Sequence, residues 1–404
     1  MLSIKFKENV YLIVVIAVSI FTSGCAQKLH HQPLDKVAYA AIDFTDAASG
    51  DRWWGDTKPP LIEHNLRLQA EVLKKRFPSA VNATKKNAPA YHSLTISGGG
   101  ADGAFGAGIL VGWSKSGQRP EFEIVTGTST GAIIAPFAFL GTKYDKVLLE
   151  IYSQLTKDKI YQSQFLSGIF GGSSIADTKS LQQQIEKYIT LELIEEIAKQ
   201  HEKLRSLLIV TTHLDAMRPM IWDIGQIASR RDSESVALIR KILLASAAIP
   251  VLFPPVVFDF EKDGKQFTEL HIDGGVTRNA FSYPAKISIK EIESIQRLTF
   301  NRNVYVIQNG NNKMPYAPTP VDLMGIASRT TLGLLQGKIN ADIEHIYYLS
   351  KRDDINFNMI EIPDEYIADK SIDFDPQYMD DLIKLGMKIG ISGTFWYQKP
   401  PSER

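Results

Sequence analysis

The stretch that most limits what this chain can fold into runs from Ser97 to Gly131. It opens as Ser97-Gly98-Gly99-Gly100-Ala101-Asp102-Gly103 and closes as Gly127-Thr128-Ser129-Thr130-Gly131. A short apolar run precedes each end, Ser93-Leu94-Thr95-Ile96 and Phe122-Glu123-Ile124-Val125-Thr126. Both runs have the length and β-branched content of strands. Each end leads into a helix-like segment, residues 104–115 and 132–140. Strand, glycine turn, helix, strand, serine turn, helix is how a parallel α/β sheet begins.

The serine turn has the form G-x-S-x-G, in which a sharp strand-to-helix turn lifts a serine hydroxyl clear of the backbone. Gly127 and Gly131 leave no Cβ to clash with the adjoining strand and helix. The helix that follows directs free N–H groups and its positive dipole end at Ser129. The glycine turn, Gly98 to Gly103, offers N–H groups that no side chain shields and that can converge on an anion. Gly98, Gly100 and Gly103 also satisfy G-x-G-x-x-G, but that dinucleotide fingerprint wants an acid at the end of the next strand. Gly127-Thr128-Ser129 stands there instead, and Glu121 and Glu123 lie at the strand's start. A phosphate loop would continue with Gly-Lys-Ser/Thr, whereas Ala104 follows Gly103. What remains is an oxyanion hole, drawn from Gly98, Gly99, Gly100 and Thr130, paired with a serine nucleophile.

A serine needs a base within hydrogen-bond reach. A strand over 267–272 ends in Asp273-Gly274-Gly275, and ligand chemistry in an open α/β sheet sits at the carboxyl ends of strands. Asp273 is thereby expected at the same rim as Ser129, although Asp-Gly-Gly is also an ordinary turn. Histidine is the commoner base, and His213, His271 and His345 are the alternatives; His345 sits in a charged helical stretch and reads as a solvated face. The run Ala245-Ser246-Ala247-Ala248-Ile249-Pro250-Val251-Leu252-Phe253-Pro254-Pro255 starts with small residues suited to packing against the nucleophile helix. It then turns bulky and apolar over 249–253, as an acyl channel or plain core would. The Gly- and Ser-flanked apolar segment over 166–170 suits a lid or interfacial loop, or simply a helix–helix connection. Further strands are expected over 207–212, 220–224, 304–308 and 357–363, with helices over 61–77, 236–248, 319–350 and 376–391.

The chain's 404 residues allow one large or two ordinary domains, and 44% hydrophobic content suffices for a core. Lys and Arg, 45 together, balance 45 Asp and Glu, which removes any bulk electrostatic case for nucleic acid. His30 and His31 point apart with no partner cluster, so no metal site is expected, and no cofactor is implied. The first residues stand apart from the fold. Lys5 and Lys7 precede a short apolar run over 10–21, and Thr22-Ser23-Gly24-Cys25 follows, the pattern of an export signal. Cys25 is the only cysteine. Its place resembles the lipobox of bacterial lipoproteins, with Thr22 departing from the usual aliphatic residue there. That resemblance implies cleavage after residue 24, a lipidated Cys25 and, with Ala26 rather than Asp next, passage to an outer membrane. An uncleaved anchor or ordinary secretory signal is the alternative.

Taken in order, the glycine turn, the serine turn, the Ala-Ser-Ala-Ala-Ile-Pro…Phe-Pro-Pro run and Asp-Gly-Gly resemble the patatin-like phospholipases over roughly residues 91–308. The resemblance implies an α/β three-layer fold with a mostly parallel central sheet. It implies a Ser–Asp dyad, Ser129 as nucleophile and Asp273 as base, held by motif glycines Gly103, Gly127, Gly131, Gly274 and Gly275. It implies hydrolysis of acyl esters, of membrane phospholipids or lysophospholipids, with membrane lipids as substrate and as anchor surface. Many members carry Lys or Arg where this chain has Asp102; an inward acid would oppose an oxyanion, so Asp102 is expected to point outward. The domain plan is a signal peptide over 1–24, a tether over 25–60, the hydrolase domain over 61–396 and a tail over 397–404. A general carboxylesterase of the same fold, a nucleotide-binding protein or a catalytically silent surface lipoprotein are the competing functions.

Overall fold

The computed structural model describes residues 31–35, 39, 50–59, 62–154, 162–163, 176–262, 264–314, 316–366, 374–393 and 396–404. The segment expected to be an export signal, Cys25 and the apolar segment 166–170 lie outside them. Among the described residues, no helix is long and apolar enough to cross a membrane.

One mixed sheet of nine strands organises the described residues. In chain order the strands are β1 (Arg52–Trp54), β2 (Ala90–Ile96), β3 (Ile124–Thr128), β4 (Ser206–His213), β5 (Arg218–Asp223), β6 (Val256–Lys262), β7 (Lys265–Asp273), β8 (Asn301–Ile307) and β9 (Asn356–Ile360). Across the sheet the order is β1-β5-β4-β3-β2-β8-β9. From β4 to β9 every neighbouring pair is parallel; β5 and β1 close the other edge antiparallel. The helices used below are α1 (Gly103–Lys115), α2 (Thr130–Leu140), α3 (Asp145–Gln154), α4 (Lys179–Tyr188), α5 (Leu191–His201), α6 (Ser233–Ser246), α7 (Leu323–Asp353) and α8 (Pro376–Ser392).

The period-two alternation of the strands sorts the core into two faces. On β8, Val304 and Val306 pack with Ile339, Ile343 and Ile346 of α7. Tyr305 and Ile307 turn the other way and join the large core shared with α1, α2 and α8. The sheet thus lies between helical layers, an α/β fold. Helices α1 and α8 interlock at backbone distance: a Cβ on Gly108 or Gly112 would strike the carbonyl of Ile383 or Met387, and one on Gly386 or Gly390 that of Phe105 or Ile109. This close seating brings the start of α8 over the glycine turn.

The sheet register delivers the two motif ends to one spot. β4 pairs with β3 through Val210, which faces Thr128. From the next residue on it pairs with β7, Thr211 facing Asp273. Since β5 holds the opposite edge of β4, β3 and β7 lie on the same side and meet end to end. Asp273 therefore reaches the rim where β3 ends, but from the opposite direction to that expected: β7 is antiparallel to β4, not a further parallel strand. The reason is the hairpin with β6, a strand that the Pro254-Pro255 pair concealed.

Two boundaries also need correction. The 25–60 segment is not all tether. β1 pairs with β5, Trp54 is buried, and Gln32 N–H donates to Thr268 Oγ1 at 2.7 Å. Arg52 makes an ion pair with buried Glu269. The final residues are docked as well: Tyr397 bridges Met359, and Arg404 meets Glu361 at 2.6 Å.

Candidate active site

Ser129 caps α2 with φ +54° and ψ −123°, a strained conformation for a non-glycine residue. What holds it there is crowding at the elbow. A Cβ on Gly131 would strike the Ile96 and Ser97 carbonyls, so glycine lets α2 press against β2. The strained amide is also tied down: Ser129 N–H donates to Ser246 Oγ at 3.0 Å, and Ser246 in turn donates to the Val210 carbonyl at 2.7 Å. The small-residue run thus supplies a buried hydroxyl that bridges the elbow and β4. The sequence pointed to close packing there and missed this role.

Asp273 is 1% exposed. Its Oδ1 accepts from Gly275 N–H at 2.7 Å, which fixes the carboxylate at the strand end. Oδ2 is buried without a well-formed hydrogen bond. Burial pushes the carboxyl up to about 7, against the pull of the Ser129 hydroxyl and the Gly275 amide, both of which favour the ion. The serine is therefore close enough to act on the carboxylate while falling short of an aligned bond, as is common in an unliganded site. In chemical terms, a hydroxyl stands beside a desolvated carboxylate that accepts protons near neutral pH.

The glycine turn comes alongside. A Cβ on Gly98 would lie 3.0 Å from that of Ser129 and 2.9 Å from Asn279 Oδ1. One expectation is corrected here. The N–H of Gly98 is not open to an oxyanion, because it donates to Asn279 Oδ1 at 2.8 Å. Among the described residues, no acceptor is bonded by the N–H groups of Gly99, Gly100 or Thr130. Asn279 is thus the clamp of the turn, and it is itself held by Asp342 of α7, whose Oδ2 accepts from Asn279 N–H at 2.7 Å. From the other side, Asn309 bonds Ser97 through its N–H at 2.9 Å and its Nδ2 at 2.8 Å. Neither asparagine belongs to a local motif, and no sequence signal singled them out.

Asp102 does not point away from the site. It lines the same cavity as Ser129, and Tyr378 at the start of α8 donates to its Oδ1 at 2.6 Å. Surrounding protein pushes this carboxyl up to about 7 as well, against the Tyr378 bond. The α1–α8 contact is what turns it inward.

The alternative bases are elsewhere. His271 is fully buried, with Nδ1 2.9 Å from Thr211 Oγ1 and Nε2 3.2 Å from Glu269 Oε2. Burial pushes it down to about 4. His213 stacks edge-on to Trp54 and His271 and accepts from Ala216 N–H at 3.2 Å. His345 is half-buried on α7 and bordered by Asp342 and Arg278. None of the three lines a cavity that contains Ser129. His213, Glu269 and His271 come within 4.8 Å of one another, but Arg52 spans both oxygens of Glu269, so the carboxylate is already neutralised by a cation.

Two cavities meet at Ser129, sharing Gly100, Ile249 and Phe374. The first, about 720 Å³ including space open to solvent, is walled by apolar side chains of α2, α3, α4 and α6, among them Ile133, Phe137, Ile151, Leu181 and Leu243. Ile249 and Phe253 of the post-α6 run complete it. The second, about 1360 Å³ including space open to solvent, is mixed, and Asp273, Asp102, Lys313 and Arg329 border it.

The family model of the patatin-like phospholipases matches residues 94–286. A patatin-like phospholipase domain is found there. The matched span runs from β2 through the glycine turn, Ser129, Ser246 and Asp273, and the mixed sheet between helices agrees with that fold. The match supports lipid acyl hydrolase activity in general. No curated protein sequence matches the chain. Among solved structures, the chain is similar to VipD from Legionella pneumophila, at 12% identity and a TM-score of 0.30, covering 76% of this chain and 70% of that one. It is also similar to the type III effector protein ExoU, at 11% identity and a TM-score of 0.23, covering 78% of this chain and 58% of that one.

Proposed function

We propose that the patatin-like domain hydrolyses fatty-acyl esters of membrane phospholipids or lysophospholipids through an acyl-enzyme on Ser129. Asp273 takes the hydroxyl proton as Ser129 Oγ attacks the ester carbonyl. The resulting oxyanion is met by the free N–H groups of Gly99, Gly100 and Thr130, aided by the α2 dipole. Collapse expels the alcohol, which receives the proton from Asp273. A water activated by the same carboxylate then attacks the acyl-enzyme and frees the fatty acid.

The observation that carries this reading is the meeting of the two cavities at Ser129. An apolar channel on one side suits a long acyl chain, and a mixed space on the other suits a polar leaving group. The lipidated Cys25 expected from the sequence would hold the domain within reach of a bilayer, which raises the effective concentration of substrate.

The test is release of fatty acid from phospholipid vesicles, compared with cleavage of a short soluble ester. Ser129→Ala and Asp273→Asn should each remove nearly all activity. Loss of a serine nucleophile costs on the order of a million-fold in another serine hydrolase. The double variant should be little worse than either single one, since the pair acts as a unit. Equal kcat/KM on vesicles and on the soluble ester would leave a general carboxylesterase. No turnover of either would leave a silent scaffold.

A further inference from the structure

We propose that the exposed apolar face over residues 316–334, beside the mouth of the larger cavity, seats the protein on the surface of a phospholipid bilayer. The inference rests on the lipid-hydrolase reading above and adds to it the surface through which substrate enters.

Helix α7 changes character along its length. Its second half follows the usual rule for a surface helix: Ile339, Ile343 and Ile346 pack in the core, and Lys351 and Arg352 are exposed. From Leu323 to Lys338 none of its residues is buried, and here both faces are apolar. Leu332, Leu335 and Ile339, three and four residues apart, line the cavity that contains Ser129. The helical period puts Leu323, Ile326 and Leu334 on the opposite face. Leu323 is 81% and Leu334 70% exposed, and Val321, just ahead of the helix, is 95% exposed. Ile326 and Tyr316 are exposed as well. Between residues 314 and 337 the only charged residues are Asp322 and Arg329, in a chain that is 22% charged. Asp322 is engaged as the N-cap of α7, where it accepts from Gly325 N–H at 2.8 Å. Single exposed apolar side chains are ordinary; a run of them with so little charge marks a surface made for an apolar partner.

Place and presentation choose the bilayer as that partner. Lys313 and Ala317 border the cavity and are themselves exposed, so the cavity opens beside Tyr316. A second copy of the chain, or another protein, seated on this face would lie across the opening. A bilayer seated there delivers its lipids through it. The face is also ordered in advance. Pro318 and Pro320 fix the backbone before the helix, and a Cβ on Gly325 would lie 2.5 Å from the Pro320 carbonyl oxygen, so loop and helix start are in close contact. Side chains presented this way lose little freedom on insertion. Tyr316 joins an apolar ring to a hydroxyl, which suits the boundary between acyl chains and headgroups.

The experiment introduces Leu323→Cys and Leu334→Cys singly into the full chain carrying Cys25→Ser, with an environment-sensitive fluorophore on the new thiol. Phosphatidylcholine vesicles, with or without phosphatidylglycerol, should shift both labels to the blue. The shift should persist at high salt, because charge contributes little at this face. A label at Leu68→Cys, exposed on the helix Ile62–Arg76 that lines neither cavity, should not move. Val321→Asp and Leu323→Asp, made singly, place an acid at a helix N-terminus, where the dipole favours it and folding is spared. Each should lower kcat/KM on phosphatidylcholine vesicles by about tenfold, the scale of one apolar side chain withdrawn from water. Cleavage of the short soluble ester should be unchanged. Labels that ignore vesicles, labels that shift with protein concentration alone, or equal losses on vesicles and ester overturn the docking surface. Insertion of both labels without turnover of any lipid upholds it and counts against the hydrolase reading alone.

Discussion

Ser129 is placed by strain and held by neighbours that the motif does not contain. Its +54° φ is imposed by the elbow, and Ser246 absorbs the amide that this geometry would otherwise leave buried and unpaired. Asp273 is raised to about 7 by the same burial that shields it, well above an ordinary aspartate near 4. As the proposed base it works only when ionised. The kcat/KM of the protein should therefore climb about tenfold per pH unit below 7 and level off above it. Asp102 is also held near 7, so the profile should be repeated in Asp102→Asn; persistence of the rise assigns it to Asp273. Stability runs the other way. Between about pH 4 and 7 the folded protein keeps a proton on Asp273 that the unfolded chain gives up. This residue's contribution is therefore complete below the unfolded pKa and lost as pH rises through 7. Melting curves should show Asp273→Asn gaining on the wild type from pH 5 to 8. A constant difference would place the shift elsewhere.

At the scale of elements, β4 is the ruler on which the site is measured. Val210 and Thr211, adjacent in the chain, set Thr128 and Asp273 against one another. The two glycine-bearing turns were legible because steric demand is local: a Cβ at the elbow has nowhere to go. The direction of β7 was not, because it is decided by a hairpin with β6 and by pairing far along the chain. The same holds for Asn279, Asn309 and Tyr378, which act on the glycine turn across long separations and carry no motif of their own. β1 hid in a polar stretch, yet its Arg52 is the partner of buried Glu269. That ion pair holds the Glu269 carboxyl far below its usual range, despite burial. Arg52→Leu leaves a buried carboxylate without its cation and should cost about 3–5 kcal/mol by denaturant unfolding. A depressed carboxylate contributes stability above its unfolded pKa and loses it as pH falls through the folded one. The deficit of Arg52→Leu should therefore shrink as unfolding is measured at pH 6, 4 and 3. A loss under 1 kcal/mol at pH 7 would mean the pair is merely tolerated.

At the scale of the whole molecule, the patatin-like domain at 94–286 does not stand alone. The chain after it, with β8, β9, α7, α8 and the segments that join them, supplies the clamp on Asn279, the Tyr378 contact and most of the second cavity's wall. The motifs were readable between residues 97 and 275, whereas the wall of the second cavity was not, since much of it comes from α7 and from loops with no chemical motif. At the other end, the sequence leads us to expect an export signal and, with it, a mature N-terminus at Cys25 bearing lipid. Mass spectrometry of the protein from membranes should find diacylglyceryl and acyl mass on that cysteine; an unmodified Cys25 or cleavage elsewhere contradicts it. The central claim, that Ser129 is a nucleophile worked by Asp273, meets its most direct test in covalent labelling. Incubation of the folded protein with a fluorophosphonate, followed by peptide mapping, should find one adduct, on Ser129, formed at least about 100-fold more slowly in Asp273→Asn. An adduct on another residue, or labelling of Ser129 at an unchanged rate in Asp273→Asn, contradicts it.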